Sequence, residues 1–221
     1  MDPTGSVRGW LTAGAAATAL LLGAGTAAAL PAGGPGPSAL QPDAGPSALQ
    51  PGADPVARLR PVAGLSARRL AIADLVAAAK RGTGSPVDDP VRERRVLDTV
   101  AHRARERGAD PVATVRIFRD QIAAGKAVQR ALLRRWDADP AEAPAGRPEL
   151  SAVRAEIDRV DDALVRALAR AAPDRATPHC GGVLRASAAL VRTERRPDAV
   201  HAAALRRSLR SVCAAAEFDP T

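Results

Sequence analysis

Residues 65–81 read LSARRLAIADLVAAAKR, and residues 111–136 read PVATVRIFRDQIAAGKAVQRALLRRW. On a helix, Leu65, Arg69, Ile72, Val76 and Lys80 of the first stretch follow steps of four, three, four and four, so they share one face. That face should be apolar, yet it carries two cations. Phe118, Ile122, Gly125, Gln129, Leu132 and Trp136 of the second stretch form a stripe of the same period, broken by one amide and one glycine. Charged and amide groups are costly to bury unless something pairs with them. The two stripes predict a cationic pocket inside a helical bundle.

Composition agrees with helices. The chain has 221 residues, 46% of them hydrophobic, and is rich in Ala and Leu. Aromatic residues are 2%, with no Tyr, two Phe and two Trp, so the residues that fill sheets are too sparse to build one. That length favours a single core. The formal net charge is +8, but 24 acidic residues are interspersed with the 32 basic ones along the predicted helices, as on a solvated face. A nucleic-acid partner is not expected, because the stacking aromatics that such binding uses are missing.

The N-terminus reads as a secretory signal peptide over residues 1–29. Met1 to Arg8 is short and polar, Trp10 opens an apolar run that continues to Ala29, and Ala27-Ala28-Ala29 fits a small-residue cleavage site. Its Ala and Gly richness makes it a weak membrane anchor, so cleavage and export are expected, with no stable membrane anchor. Residues 30–60 are rich in Pro, Gly and Ala, and the heptapeptide Gly-Pro-Ser-Ala-Leu-Gln-Pro starts at both Gly36 and Gly45. Such a segment predicts a flexible spacer. Residues 61–217 would form the helical domain.

Within that domain a first helix is expected over Leu65 to Arg81, ending before Gly82-Thr83-Gly84-Ser85-Pro86. Asp89-Pro90 and Asp110-Pro111 each place an N-cap Asp before a Pro suited to the first helical position. They predict a second helix to about Arg107 and a third, the longest, to Trp136. After a Pro-rich crossover from Asp137 to Pro148, the periodic residues Leu150, Val153, Ile157, Val160, Leu164 and Leu168 define a fourth. Two more are expected, about Gly182 to Thr193 and Asp198 to Ala215. Fold class is therefore all-α, a six-helix-type bundle with one long central helix.

Cys180 and Cys213 are the only cysteines, and an even number in an exported chain predicts a disulfide. Closing that loop would stabilise the fold by roughly 3–4 kcal/mol on the chain-entropy argument. The rival, a metal pair with His179, lacks zinc spacing, so no metal site is expected.

Most catalytic motifs are absent: there is no Gly-rich phosphate loop, no Gly-x-Ser-x-Gly elbow and no His-Glu-x-x-His, and His102, His179 and His201 share no spacing. What remains is cationic. Arg69 and Lys80 point the same way from one helix; Asp89, Arg92 and Glu93 fall at the start of the next; Gln129 comes from mid-helix and Arg154 from the start of the fourth. Four of them have a plain structural role open to them. Lys80 could complement a helix dipole, Asp89 could only cap, Arg154 could lie on the surface, and Gln129 could be a satisfied core amide. Together they leave buried cations whose partner would be a bound anion, and fixed arginines suit a dianionic small molecule. Lys126, one step off the Gln129 stripe, is expected to face solvent.

The motifs Arg69-x10-Lys80, Pro86-Val87-Asp88-Asp89-x2-Arg92-Glu93 and Phe118-Arg119-Asp120-Gln121-Ile122-x3-Lys126-x2-Gln129 resemble those of the AroQ-type chorismate mutases. The signal peptide, the crossover and the Cys180/Cys213 pair are similar to their secreted subclass, and the resemblance spans Leu65 to Cys213. It implies an all-helical enzyme that converts chorismate to prephenate by an intramolecular Claisen rearrangement, with no cofactor. It also implies a homodimer with each site built within one chain. By the match, Arg69, Arg92 and Arg154 would hold the substrate carboxylates. Asp89 and Glu93 would receive the ring hydroxyl, and Lys80 and Gln129 would meet the ether oxygen. Gly125 stands where the family usually has a small polar side chain near a substrate carboxylate, which implies weaker substrate binding. The competing class is an exported helical binding module for an acidic partner, in which the likeness survives without activity.

Overall fold

The computed structural model describes residues 54–213; the signal peptide, most of the spacer and residues 214–217 of the expected domain lie outside them. The described residues contain no strand. They form α1 (Pro55–Lys80), α2 (Pro90–Glu106), α3 (Pro111–Ala138), α4 (Leu150–Arg170), a one-turn α5 (Ala172–Arg175), α6 (Cys180–Arg195) and α7 (Ala199–Ser208). A 3-10 turn at Pro140–Glu142 interrupts the crossover between α3 and α4. None of these helices is long and apolar enough to cross a membrane.

Three helices begin with the same device. Asp54, Asp89 and Asp110 each accept a backbone N–H of the first turn, from Val56, Arg92 and Val112, and each is followed by Pro. In α1 this start lies ten residues before the expected Leu65, so the last residues of the stretch read as spacer are helical. The reason is burial. Leu59, Val62 and Ala63 are fully buried, and their packing outweighs the hydrogen bond lost at Pro61 inside the helix.

The two longest helices form the centre: α3, with 28 residues, and α1, with 26. α1 packs against α3, α4, α6 and α7, and α3 packs against α1, α2 and α7. The main core joins Leu59, Leu70, Ile117, Phe118, Leu164 and Leu168, all essentially without solvent exposure. A separate cluster of Ile72, Val76, Val153 and Val160 seals α1 onto α4.

Cys180 and Cys213 are disulfide-bonded, with Cα atoms 5.8 Å apart. The last helix is shorter than the expected Asp198 to Ala215. It stops at Ser208, because the chain must turn to bury Leu209 and Val212 and bring Cys213 back to Cys180. Arg175, almost fully buried, donates from Nε to the Val212 carbonyl at 2.7 Å and fixes that turn.

Candidate active site

One pocket, with about 690 Å³ of unoccupied space counting its mouth, opens among α1, α2, α3 and α4. Its residues arrive in helical register. α1 gives Arg69, Ala73, Val76 and Lys80; α2 and its cap give Asp89, Arg92, Glu93 and Val96. α3 gives Ile122, Gly125, Lys126 and Gln129, and α4 gives Leu150, Arg154 and Ile157. All eight residues singled out from the sequence therefore line a single cavity. The expectation for Lys126 is corrected, since it lines the same pocket and its Nζ lies 2.9 Å from Glu93 Oε1. Its place in the quoted motif, three residues before Gln129, was the available signal.

The cations are not unpartnered, contrary to the expectation. Arg69 Nε donates to Asp161 Oδ1 at 2.7 Å and its Nη1 donates to the Gln121 carbonyl at 3.1 Å. Arg92 pairs with Asp158, and Arg154 Nη2 donates to Asp89 Oδ2 at 3.1 Å. Lys126 bridges Glu93 and Asp88. Asp158 and Asp161 escaped the sequence reading because α4 was read only for its apolar stripe. Asp89 is a helix cap and a wall of the pocket at once.

Lys80, 8% exposed, donates from Nζ to the carbonyls of Pro86 and Val87 at 2.7 and 3.2 Å. Burial pulls its pKa below the ordinary lysine value, against the charge of Asp89, which raises it. Two carbonyls occupy two of its three donors. Burial likewise opposes the charge on Lys126, but the carboxylates of Glu93 and Asp88 outweigh it and its pKa is raised. Gln129 is nearly buried, with Oε1 unpartnered, and its amide makes no hydrogen bond among the described residues.

The loop between α1 and α2 sets the Lys80 contact. Gly82 and Gly84 take φ of +69° and +71°, conformations that side chains disfavour, and they turn the chain so that the Pro86 and Val87 carbonyls face Lys80. Asp88 then ties the loop to Arg130 and Lys126 of α3.

The lining carries five cations against two carboxylates, over an apolar floor of Val76, Val96, Ile122, Leu150 and Ile157. Such a pocket can hold a small polyanion with an apolar ring and offer N–H donors to a developing negative charge.

Comparison with known proteins identifies the family. The family profile for chorismate mutase type II matches residues 62–130, which include most of the pocket lining. A secreted chorismate mutase of Mycolicibacterium smegmatis is 36% identical over 155 residues, covering 70% of this chain and 86% of the relative. One from Mycobacterium tuberculosis is 32% identical over 160 residues, covering 72% and 80%. The crystal structure of a chorismate mutase from Burkholderia phymatum superposes with a TM-score of 0.68 at 33% identity, over 73% of this chain and 99% of that one. Identity at that level over most of each relative's length leads to one conclusion: the chain belongs to the chorismate mutase type II family.

Proposed function

We propose that this chain is an exported chorismate mutase and that the α1–α4 pocket is its active site. The observation that carries the reading is the convergence of Lys80 and Gln129, two neutral-pH donors, with Arg69, Arg92 and Arg154 around one cavity. The arginines would hold the two carboxylates of chorismate and enforce its compact conformer. Asp89 and Glu93 would accept from the ring hydroxyl. As the ether C–O bond breaks, negative charge gathers on its oxygen; the third Nζ–H of Lys80 and the amide of Gln129 would stabilise it. Lys126 joins the site through Glu93, whose carboxylate it orients.

Every group in this scheme comes from one chain, so each subunit of the homodimer implied by the family resemblance would carry a complete site. Light scattering of the purified domain tests that assembly. Activity is tested by following chorismate loss and prephenate formation with the mature domain, its disulfide oxidised, beside a Lys80→Ala control. Turnover that collapses in the control supports the assignment. A folded, helical protein without turnover would return the pocket to a binding role.

A further inference from the structure

Asp161 lies two helical turns after Arg154 on α4, and its side chain is 3% exposed. Of the carboxylates that hold the pocket cations it alone is fully buried; Asp158, the partner of Arg92, is 47% exposed. Its Oδ1 accepts from Arg69 Nε, while Arg69 Nη1 reaches the Gln121 carbonyl. Anchored at both, the guanidinium has Nη2 left for a ligand in the pocket it lines.

This pair is poorly built for stability alone. Asp161 Oδ2 is buried with no hydrogen-bond partner, and burial raises the Asp161 pKa against the pull of Arg69. Buried ion pairs rarely stabilise more than apolar packing would, and an orphaned oxygen adds to the cost. A confining role accounts for retaining it. The pocket wall beside Arg69 is Gly125, where a Cβ would sit 3.7 Å from Nη1, so no side chain on α3 restrains the guanidinium there. A long, rotamer-rich cation without restraint loses entropy each time it grips a ligand.

We propose that Asp161 is a positioning residue for the mutase reaction. It fixes the Arg69 guanidinium so that its remaining N–H groups meet a substrate carboxylate in one geometry. The proposal rests on the reading of the pocket as the chorismate site.

A kinetic double-mutant cycle tests it, with Asp161→Ala, Arg69→Ala and the double variant, alongside Asp161→Asn. Asp161→Ala should lower kcat/KM about ten-fold, mostly through KM, and should change it less than about two-fold when Arg69 is already Ala. Asp161→Asn keeps an acceptor for Nε and should lose less. Equal losses in both Arg69 backgrounds would overturn the positioning role, because a general disturbance of the fold does not act through Arg69. If Asp161→Ala melts below the assay temperature, the Asp161→Asn cycle is judged by the same criterion. Wild-type protein without turnover would instead overturn the reading of the pocket.

Discussion

Lys80 Nζ stands 2.7 Å from the carbonyl oxygen of Pro86, so the loop that leaves α1 turns back to orient the cation that α1 itself carries. A buried ammonium needs such acceptors to remain charged, and here they come from backbone, which does not titrate.

Lys80 thereby sets an alkaline limit. Its pKa lies below the ordinary 10.5 because burial disfavours the charged form. A lysine with a lowered folded pKa binds fewer protons in the folded state, so its charge weakens the fold at neutral pH and stability gains as pH rises through that window. Activity should run the other way, since loss of the proton would take the cation from the ether oxygen it is proposed to meet. The kcat/KM profile, which reports the free enzyme, should fall with a midpoint below 10.5, and Lys80→Ala should reduce kcat about 10²- to 10³-fold.

On the acid side Gln129 brings no titration. Wild-type activity should be nearly flat from about pH 5 to 8 in a pH–rate series. Gln129→Glu should introduce a decline as pH rises, because a carboxyl donates only while protonated. A Gln129→Glu profile as flat as wild type would remove Gln129 from the ether oxygen.

Gly125 has room for a side chain. A Cβ would meet Arg69 Nη1 at 3.7 Å and the Ala73 Cβ at 4.0 Å, both ordinary contacts. Gly125→Ser should lower KM for chorismate about five-fold, the worth of one added hydrogen bond of about 1 kcal/mol. Gly125→Ala should raise thermal stability by about 0.5–1 kcal/mol without that gain in KM, which separates helix propensity from substrate contact.

His201 joins α7 to α1. Its Nε2 lies 2.8 Å from Asp74 and its Nδ1 2.9 Å from Asp198. Burial lowers its pKa, but hydrogen bonds to Asp198 and Asp74 outweigh it, and the net value is above 6.5. A raised histidine pKa gives stability that is complete below the unfolded value and lost as pH rises through the folded one. Wild-type Tm should therefore drop as pH rises above about 6.5 relative to His201→Gln, by about 2–4 °C for each kcal/mol lost. Equal Tm changes in both proteins would exclude a stabilising charge on His201 between Asp74 and Asp198.

The Asp-Pro starts at Asp89 and Asp110 and the apolar period from Leu150 to Leu168 made α2, α3 and α4 legible near their observed positions, and α6 and the start of α7 lie within two residues of those expected. The start of α1 was not legible, although Asp54-Pro55 repeats the same signal. Its neighbours Pro51, Gly52 and Pro61 look like linker, and only burial of Leu59 and Val62 against other helices offsets them. The one-turn α5 was missed for a similar reason, being held by Arg58 on Asp174 from a distant helix.

The sequence by itself determined that the protein is helical, that Arg69 and Lys80 share a face, and that Gln129 belongs to a buried stripe. These follow from helical periodicity, which is local. Only the tertiary structure decided the partners: Asp161 against Arg69, the Pro86 and Val87 carbonyls against Lys80, and Glu93 drawing Lys126 into the pocket. Those contacts depend on how helices pack and where a loop returns, and a buried charge is tolerated only where that packing delivers its counterpart.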